Sequence, residues 1–349
     1  MTPEVTPEVT LEVTPGVTTI GAEPGLVVEV RDLGATLHRL SVTGGDGERR
    51  NVALGHPTVE DQLACSHFLG GTIGRYANRI AQGRATVDGT EVELLTNDRG
   101  HHLHGGPHGL DKRPWTVLEQ EPDRVLLEVE SPDGDQGYPG TMVARAEFSV
   151  DGETLRLRLS ATTDAPTLAN LTSHVYLNLE GHDSGPVDDH TLMLPASSYV
   201  PIDATGIPDA GLVPVDGTPF DLRSPVRVGD AADDPHPQMA ATGGFDHALV
   251  VEGSGLRLDA VLESARSRTR MELWSDQPAV QVYSGNGLGD PERPAPATDG
   301  GQYAVRGGIA LEPELLPDTP HHPEWDLGSA VLRPGEHYAA TIEWRFSRT

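Results

Sequence analysis

Residues 154–160 read TLRLRLS, and their alternation decides the fold class. Leu155, Leu157 and Leu159 fall on one side of an extended chain, Arg156 and Arg158 on the other. A period of two belongs to a strand with one dry and one wet face. Outward from this stretch, residues 255–259 (GLRLD) repeat the pattern in short form. Near the C-terminus, residues 338–347 (YAATIEWRFS) put Ile342, Trp344 and Phe346 on one face. Only residues 58–66 and 260–265 look even briefly helical. The 40 Gly and 29 Pro suit many turns between many strands. No Pro/Gly/Ser linker long enough to divide the chain is present. The expectation is an all-β chain, with one large antiparallel domain over residues 22–349. Its length of 349 residues is ample for a sizeable core.

Residues 1–21 stand apart, because TPEVTPEVTLEVTPGVT is a short repeat of Thr, Pro, Glu and Val. Recurrent Pro and acid without aromatics predict a disordered tail. The alternative is a first edge strand running on toward residues 26–30.

The formal net charge is −28. A field of that sign repels phosphate backbones and anionic membrane surfaces, so neither nucleic acid nor membrane is an expected partner. It also disfavours a phosphorylated substrate, although surface solubility alone accounts for such a charge. Cys65 is the only cysteine, which rules out an intrachain disulfide and a Cys-based metal cluster. A buried, inert thiol is its expected state. No run of 18 apolar residues exists, and the N-terminus lacks a basic segment followed by an apolar one. A cytoplasmic location is the expectation.

Six segments carry dense polar groups in apolar or Gly-rich context: residues 70–84, 101–106, 170–181, 243–247, 281–286 and 308–318. Residues 70–74 echo a phosphate loop, but no strand precedes them and no Gly-Lys-Ser/Thr follows. Arg75 and Arg79 are four apart, so they share a helical turn or a strand face. Each offers a planar fork of donors for vicinal hydroxyls or a carboxylate, and each is equally readable as a structural ion pair. His101, His102 and His104 invite a zinc reading, yet no second ligand cluster is evident. In a strand, His102 and His104 would share a face. A hydrogen-bonding His in a polar pocket fits better than a metal, and no metal is expected.

His174, Tyr176 and Asn178 alternate, so a strand would turn all three to one face. A polar face where a core face is due marks a strand lining a cleft; a satisfied core histidine fits the same pattern. Glu312 ends the apolar run 309–311 and precedes Pro313. Desolvation there would raise its pKa and make it a better base. No Gly-x-Ser-x-Gly elbow and no Cys–His pair is present, so the candidates favour acid/base chemistry without a covalent intermediate.

In order along the chain, these segments resemble the aldose 1-epimerase (galactose mutarotase) family. The motifs are GRYANRIAQGR, LHGG followed by Gly109, Leu110, Asp111, Lys112 and Trp115, GYPG at 137–140, NLTSHVYLNL, TPFDLR at 218–223, GGFDH, QVYSGN and ALEPELLPD. They run from about residue 24 to the C-terminus. The resemblance implies a large antiparallel β-sandwich, the galactose mutarotase-like supersandwich, with a sugar cleft on one concave face. It implies exchange of the α and β anomers of a free aldohexose such as galactose or glucose, without a cofactor. It makes His174 the general acid and Glu312 the base. It makes Asn78, Arg79, His104, Tyr176, Asp246 and Gln281 sugar contacts, with Arg75 a further one. Leu177 stands where the family often has Phe, and Glu180 where a small residue is common. A hexose-6-phosphate 1-epimerase, or a non-catalytic sugar binder of the same fold, is the alternative. The expected partner is a small sugar, and the expected state a monomer or homodimer.

Overall fold

The computed structural model describes residues 15–349. Strand makes up 42% and helix 10%, which settles the class as all-β. Three sheets of nine, six and four strands carry the architecture, with shorter two-stranded ladders between them. Every strand ladder among the described residues is antiparallel in the large sheets, as expected for a meandering chain of hairpins.

The strand Thr154–Thr163 lies inside the nine-stranded sheet, between Met142–Asp151 and Tyr338–Arg348. Its register sets Leu155 opposite Trp344 and Leu157 opposite Ile342. All four are fully buried. On the other face Arg156 meets Glu343 at 2.6 Å and Arg158 meets Glu147 at 3.1 Å. An exposed pair such as Arg158–Glu147 contributes only about 0–1 kcal/mol, so leucine burial at about 1.5–3 kcal/mol per side chain fixes the register.

One apolar cluster draws on all three sheets. From the six-stranded sheet come Ile309 and Leu311 of Ile309–Glu314, Val280 and Val282 of Ala279–Tyr283, and Leu249 and Val251 of Asp246–Val251. The period of two then decides where the residues between them go. Glu312, Glu314, Gln281, Tyr283 and Asp246 turn to the opposite face of this sheet. That face carries the site.

Two expectations need revision. Val17–Gly21 is not tail: it forms an edge strand paired with Val27–Arg31, and Ile20 is fully buried. The rest of the tail expectation, residues 1–14, lies outside the described residues. Residues 260–265 are not helical: Arg257–Ser264 is a strand, paired with Thr269–Ser275 on one side and Thr191–Met193 on the other. Ladders on both edges override a helix-prone composition there. Residues 58–66 do hold a short helix, Val59–Ala64, whose first turn is capped by the Thr58 hydroxyl accepting from the Asp61 N–H.

The two faces of Thr154–Thr163 should respond very differently to truncation. Leu157→Ala is expected to lower unfolding stability by about 2–5 kcal/mol. Arg158→Ala should cost less than about 1 kcal/mol. Urea midpoints of the two variants check this; equal losses would contradict the assigned faces.

Candidate active site

A cleft of about 640 Å³ opens over the polar face of the six-stranded sheet. The strands Ile309–Glu314, Ala279–Tyr283 and Asp246–Val251 supply Glu312, Gln281 and Asp246 to it. Tyr176–Leu177 extends the sheet beside Ile309–Glu314 and brings Tyr176, with His174 just before it. The His174 backbone is held on both sides: its N–H donates to the Gly71 carbonyl and its carbonyl accepts from the Gly70 N–H. Residues from mid-chain and from near the C-terminus thus meet. His174 Nε2 lies 3.6 Å from Glu312 Oε1, and both side chains are almost wholly buried.

His104 comes from a turn, which corrects the strand reading of residues 102–104. Only His102–Leu103 is strand, and His104 has a left-handed φ of 50°. His102 turns away, between the Leu95 carbonyl and the Tyr138 hydroxyl. Gly105 completes the turn; a Cβ there would sit 1.8 Å from the Gly74 carbonyl oxygen, so no other residue fits. His104 Nδ1 accepts from the Asn78 N–H at 3.1 Å. The neutral ring therefore carries its proton on Nε2 and offers a donor to the cleft.

Asn78 is a junction. Its Nδ2 donates to Glu314 Oε1 at 2.9 Å, and its Oδ1 accepts from the Arg79 N–H at 2.9 Å. Arg79 Nε donates to Asp98 at 2.9 Å. A Cβ on Gly206 would lie 2.9 Å from Arg79 Cζ, so the 203–207 turn closes directly on the guanidinium. Gln281 Nε2 donates to Asp246 Oδ1 at 2.7 Å. Two buried acceptors, Gln281 Oε1 and Glu312 Oε2, have no protein partner. Buried acceptors left bare cost about 1–3 kcal/mol each, which incoming hydroxyls would relieve.

Arg75 is brought nowhere near the cleft. Its guanidinium is spent on Ser131, Thr167 and the carbonyls of Ser131, Pro132, Pro139 and Gly140. It staples the 131–140 loop and is not placed to touch a ligand of this site. Asn178 likewise leaves the cleft face, donating to the Gly185 and Gly307 carbonyls. Several lining residues carried no weight in the sequence reading. Phe68 stacks on the His174 ring at 5.6 Å. Tyr283 follows Gln281 by two positions on its own strand, so alternation alone could have found it; Glu314 follows Glu312 in the same way but lies behind the lining. Asp98 and Gly206 had no such signal.

Burial dominates the electrostatics. It drives the His174 imidazole down to about 3 and the His104 imidazole well below its usual range. Burial, then the like charges of Glu314 and Asp246, push the Glu312 carboxyl well above the usual carboxylate range. Burial thus disfavours charge on both members of the pair and favours the form with a neutral imidazole and the proton on the carboxyl. Moving that proton across 3.6 Å gives the ion pair of imidazolium and carboxylate with the same proton count.

His104, His174 and Glu312 also bring one potential ligand atom each to within 4.8 Å of one another. A three-ligand zinc site has such spacing. The donor chemistry does not fit, since the Asn78 N–H occupies the His104 Nδ1 lone pair and Nε2 bears the proton. The trio is arranged to donate to and accept from oxygen.

A family model described as aldose 1-epimerase matches residues 17–345. The aldose 1-epimerase of Escherichia coli K12 is 40% identical over 333 residues, covering 94% of each chain. Human galactose mutarotase is 37% identical over 325 residues, covering 92% of this chain and 91% of its own. Among solved structures, galactose 1-epimerase from Lactobacillus acidophilus superposes with a TM-score of 0.84 at 31% identity, covering 99% of this chain and 98% of that one. An aldose epimerase homologue from C. elegans gives 0.88 at 29%, covering 96% and 100%. With the matched model spanning nearly all the described residues and relatives this similar along their whole length, the chain belongs to the aldose 1-epimerase family.

Proposed function

We propose that this chain exchanges the α and β anomers of a free aldohexose, such as galactose or glucose, through His174 and Glu312. The observation that carries this reading is the buried acid–base pair 3.6 Å apart in a cleft of about 640 Å³. Anomer exchange needs a proton taken from the anomeric O1–H and one delivered to the ring O5. Glu312, as carboxylate, accepts the first; His174, as imidazolium, gives the second. The C1–O5 bond breaks, the open aldehyde rotates about C1–C2, and reclosure returns both protons. Glu312 and His174 each end as they began.

Recognition falls to the hydrogen-bonding groups around the pair. The His104 Nε2–H and the Arg79 guanidinium are donors; Gln281 Oε1 and Asp246 are acceptors. Tyr176 and Asn78 complete the wall. Residues 17–349 act as one unit in this reading, since Val17–Gly21 joins the four-stranded sheet and segments from both halves build the cleft.

A 6-phosphate substrate is less well served. Three guanidiniums line the cleft, and each already has a carboxylate: Arg79 and Arg99 bind Asp98, and Arg293 binds Asp290. A phosphate would need several donors free of such partners.

Polarimetry on fresh α-galactose is the direct test. Purified protein should speed the decay of rotation, and failure to do so would sink the enzyme reading. His174→Ala and Glu312→Gln should each lower kcat by about 10²–10⁴-fold. A rate left intact by either would remove that residue from the mechanism. Glucose should be turned over far faster than its 6-phosphate.

The pair also predicts a broad pH profile. Activity needs the one-proton state. On the acid side that state is lost only when His174 takes a second proton, near its depressed value of about 3. The acid limb of kcat/KM should therefore lie far below the 6.5 of an ordinary imidazole. A limb near 6.5 would mean the ring is solvated in the working enzyme. Gly206→Ala, by contrast, should raise KM with little change in kcat, because it displaces a binding group and leaves the pair alone.

A further inference from the structure

Glu314 is a second carboxyl on the floor of the site, two positions after Glu312 on the same face of Ile309–Glu314. It is fully buried and lies behind Asn78, outside the cleft lining. Its Oε1 accepts from Asn78 Nδ2 at 2.9 Å, and its Oε2 has no partner. Among the described residues no lysine or arginine forms an ion pair with it, although Arg79 is near enough to act on it through space. A buried carboxyl so placed is costly to keep, and nothing in the proton transfers above uses it.

We propose that Glu314 is a positioning residue for anomer exchange, acting through Asn78 on His104 and through its like charge on Glu312. The first arm is a chain of hydrogen bonds. Glu314 fixes the Asn78 amide, and the Asn78 backbone N–H fixes the His104 ring with its donor toward the cleft. The second arm is electrostatic and acts on the alkaline side, where Glu314 gives up its proton and becomes charged. Glu314 is the largest charged influence on Glu312 after burial itself, and it raises the hold of Glu312 on the shared proton. Burial pushes Glu314 itself up to about 8, with Asp246 adding to the rise and the Asn78 hydrogen bond and Arg79 opposing it. The other titratable groups facing the two carboxyls are His174, His104 and Tyr176 on the cleft side, and Tyr76 and Tyr338 behind. All three tyrosines stay neutral in the range that matters, and His174 is already in the pair.

The sign follows directly. Removing the like charge lets Glu312 ionise more readily, so the shared proton is lost at lower pH. The alkaline limb of kcat/KM must then move down.

The experiment compares wild type, Glu314→Gln and Glu314→Leu by polarimetry on galactose across pH, with near-ultraviolet circular dichroism as a fold check. Gln keeps an oxygen for Asn78 and loses the charge; its alkaline limb should shift to lower pH. Leu loses both, and its KM should exceed that of the Gln variant at least tenfold, because the Asn78 amide is left unsatisfied. An unmoved or raised alkaline limb in Glu314→Gln overturns the electrostatic arm. Equal KM values in the two variants overturn the hydrogen-bonded arm. If the Leu variant does not fold, the Gln profile alone still decides the first. The inference rests on the epimerase reading, yet the failures differ: an inactive wild type removes that reading, whereas an active wild type with an unshifted Gln profile removes only the role of Glu314.

Discussion

One proton shared between His174 and Glu312, in a place too dry to let either group carry its charge cheaply, is the constraint on which the rest of the structure depends. In water the imidazole and the carboxylate would both be solvated, and the proton would sit wherever bulk pH put it. Buried, the pair resists a second proton and resists losing the first. The neutral and ionic forms become two arrangements of one proton, close enough in position that a sugar bridging them can select the second. A desolvated acid–base pair gains most from such bridging, because each new hydrogen bond acts in a low dielectric.

The sandwich produces this state through alternation. The strand Ile309–Glu314 feeds Ile309 and Leu311 into the shared core and leaves Glu312 and Glu314 on the other face. Leucine and isoleucine burial anchors the backbone, and a rigid backbone holds the carboxyl within reach of His174. His174 is held by its own peptide group, bonded to Gly70 and Gly71, so the ring needs no side-chain tether. The turns around the cleft add tight steric terms. Gly105 lets the LHGG turn approach the Gly74 carbonyl, and Gly206 lets the 203–207 turn lie against Arg79. Both are places where a single added carbon would shift a binding group.

How much of this was legible beforehand varies by the physics involved. The period of two in residues 154–160 and 338–347 gave the class, because burial follows alternation directly. His174, Glu312, His104, Asn78, Arg79, Tyr176, Asp246 and Gln281 all line the cleft. The errors have separate causes. Arg75 was judged by residue type and by its spacing from Arg79, but Arg79 opens the strand Arg79–Ile80 while Arg75 lies in the irregular segment before it, so the two guanidiniums need not share a face. Residues 17–21 looked tail-like in composition, yet a strand needs only a partner and one apolar side chain, here Val27–Arg31 and Ile20. Asp98 and Gly206 act through contacts between distant loops, which no local pattern encodes.

The charge of the chain bears on the choice of substrate in a way its composition only hinted at. Outside, the surface is strongly acidic, with −28 overall. Inside, the floor of the cleft is kept near neutrality by carboxyls that retain protons and imidazoles that refuse them. A neutral hexose feels little of the outer field and meets only hydrogen-bonding groups on arrival. A sugar phosphate is repelled on approach, and at the cleft it finds guanidiniums already bound to Asp98 and Asp290. Both effects act in the same direction, and neither depends on the fine shape of the pocket. Discrimination between the epimers of a free hexose is a different matter, since it turns on single hydroxyls and so on donors and acceptors such as Gln281 and Arg79. On the proposed reading, charge selects the class of sugar and hydrogen-bond geometry selects within it.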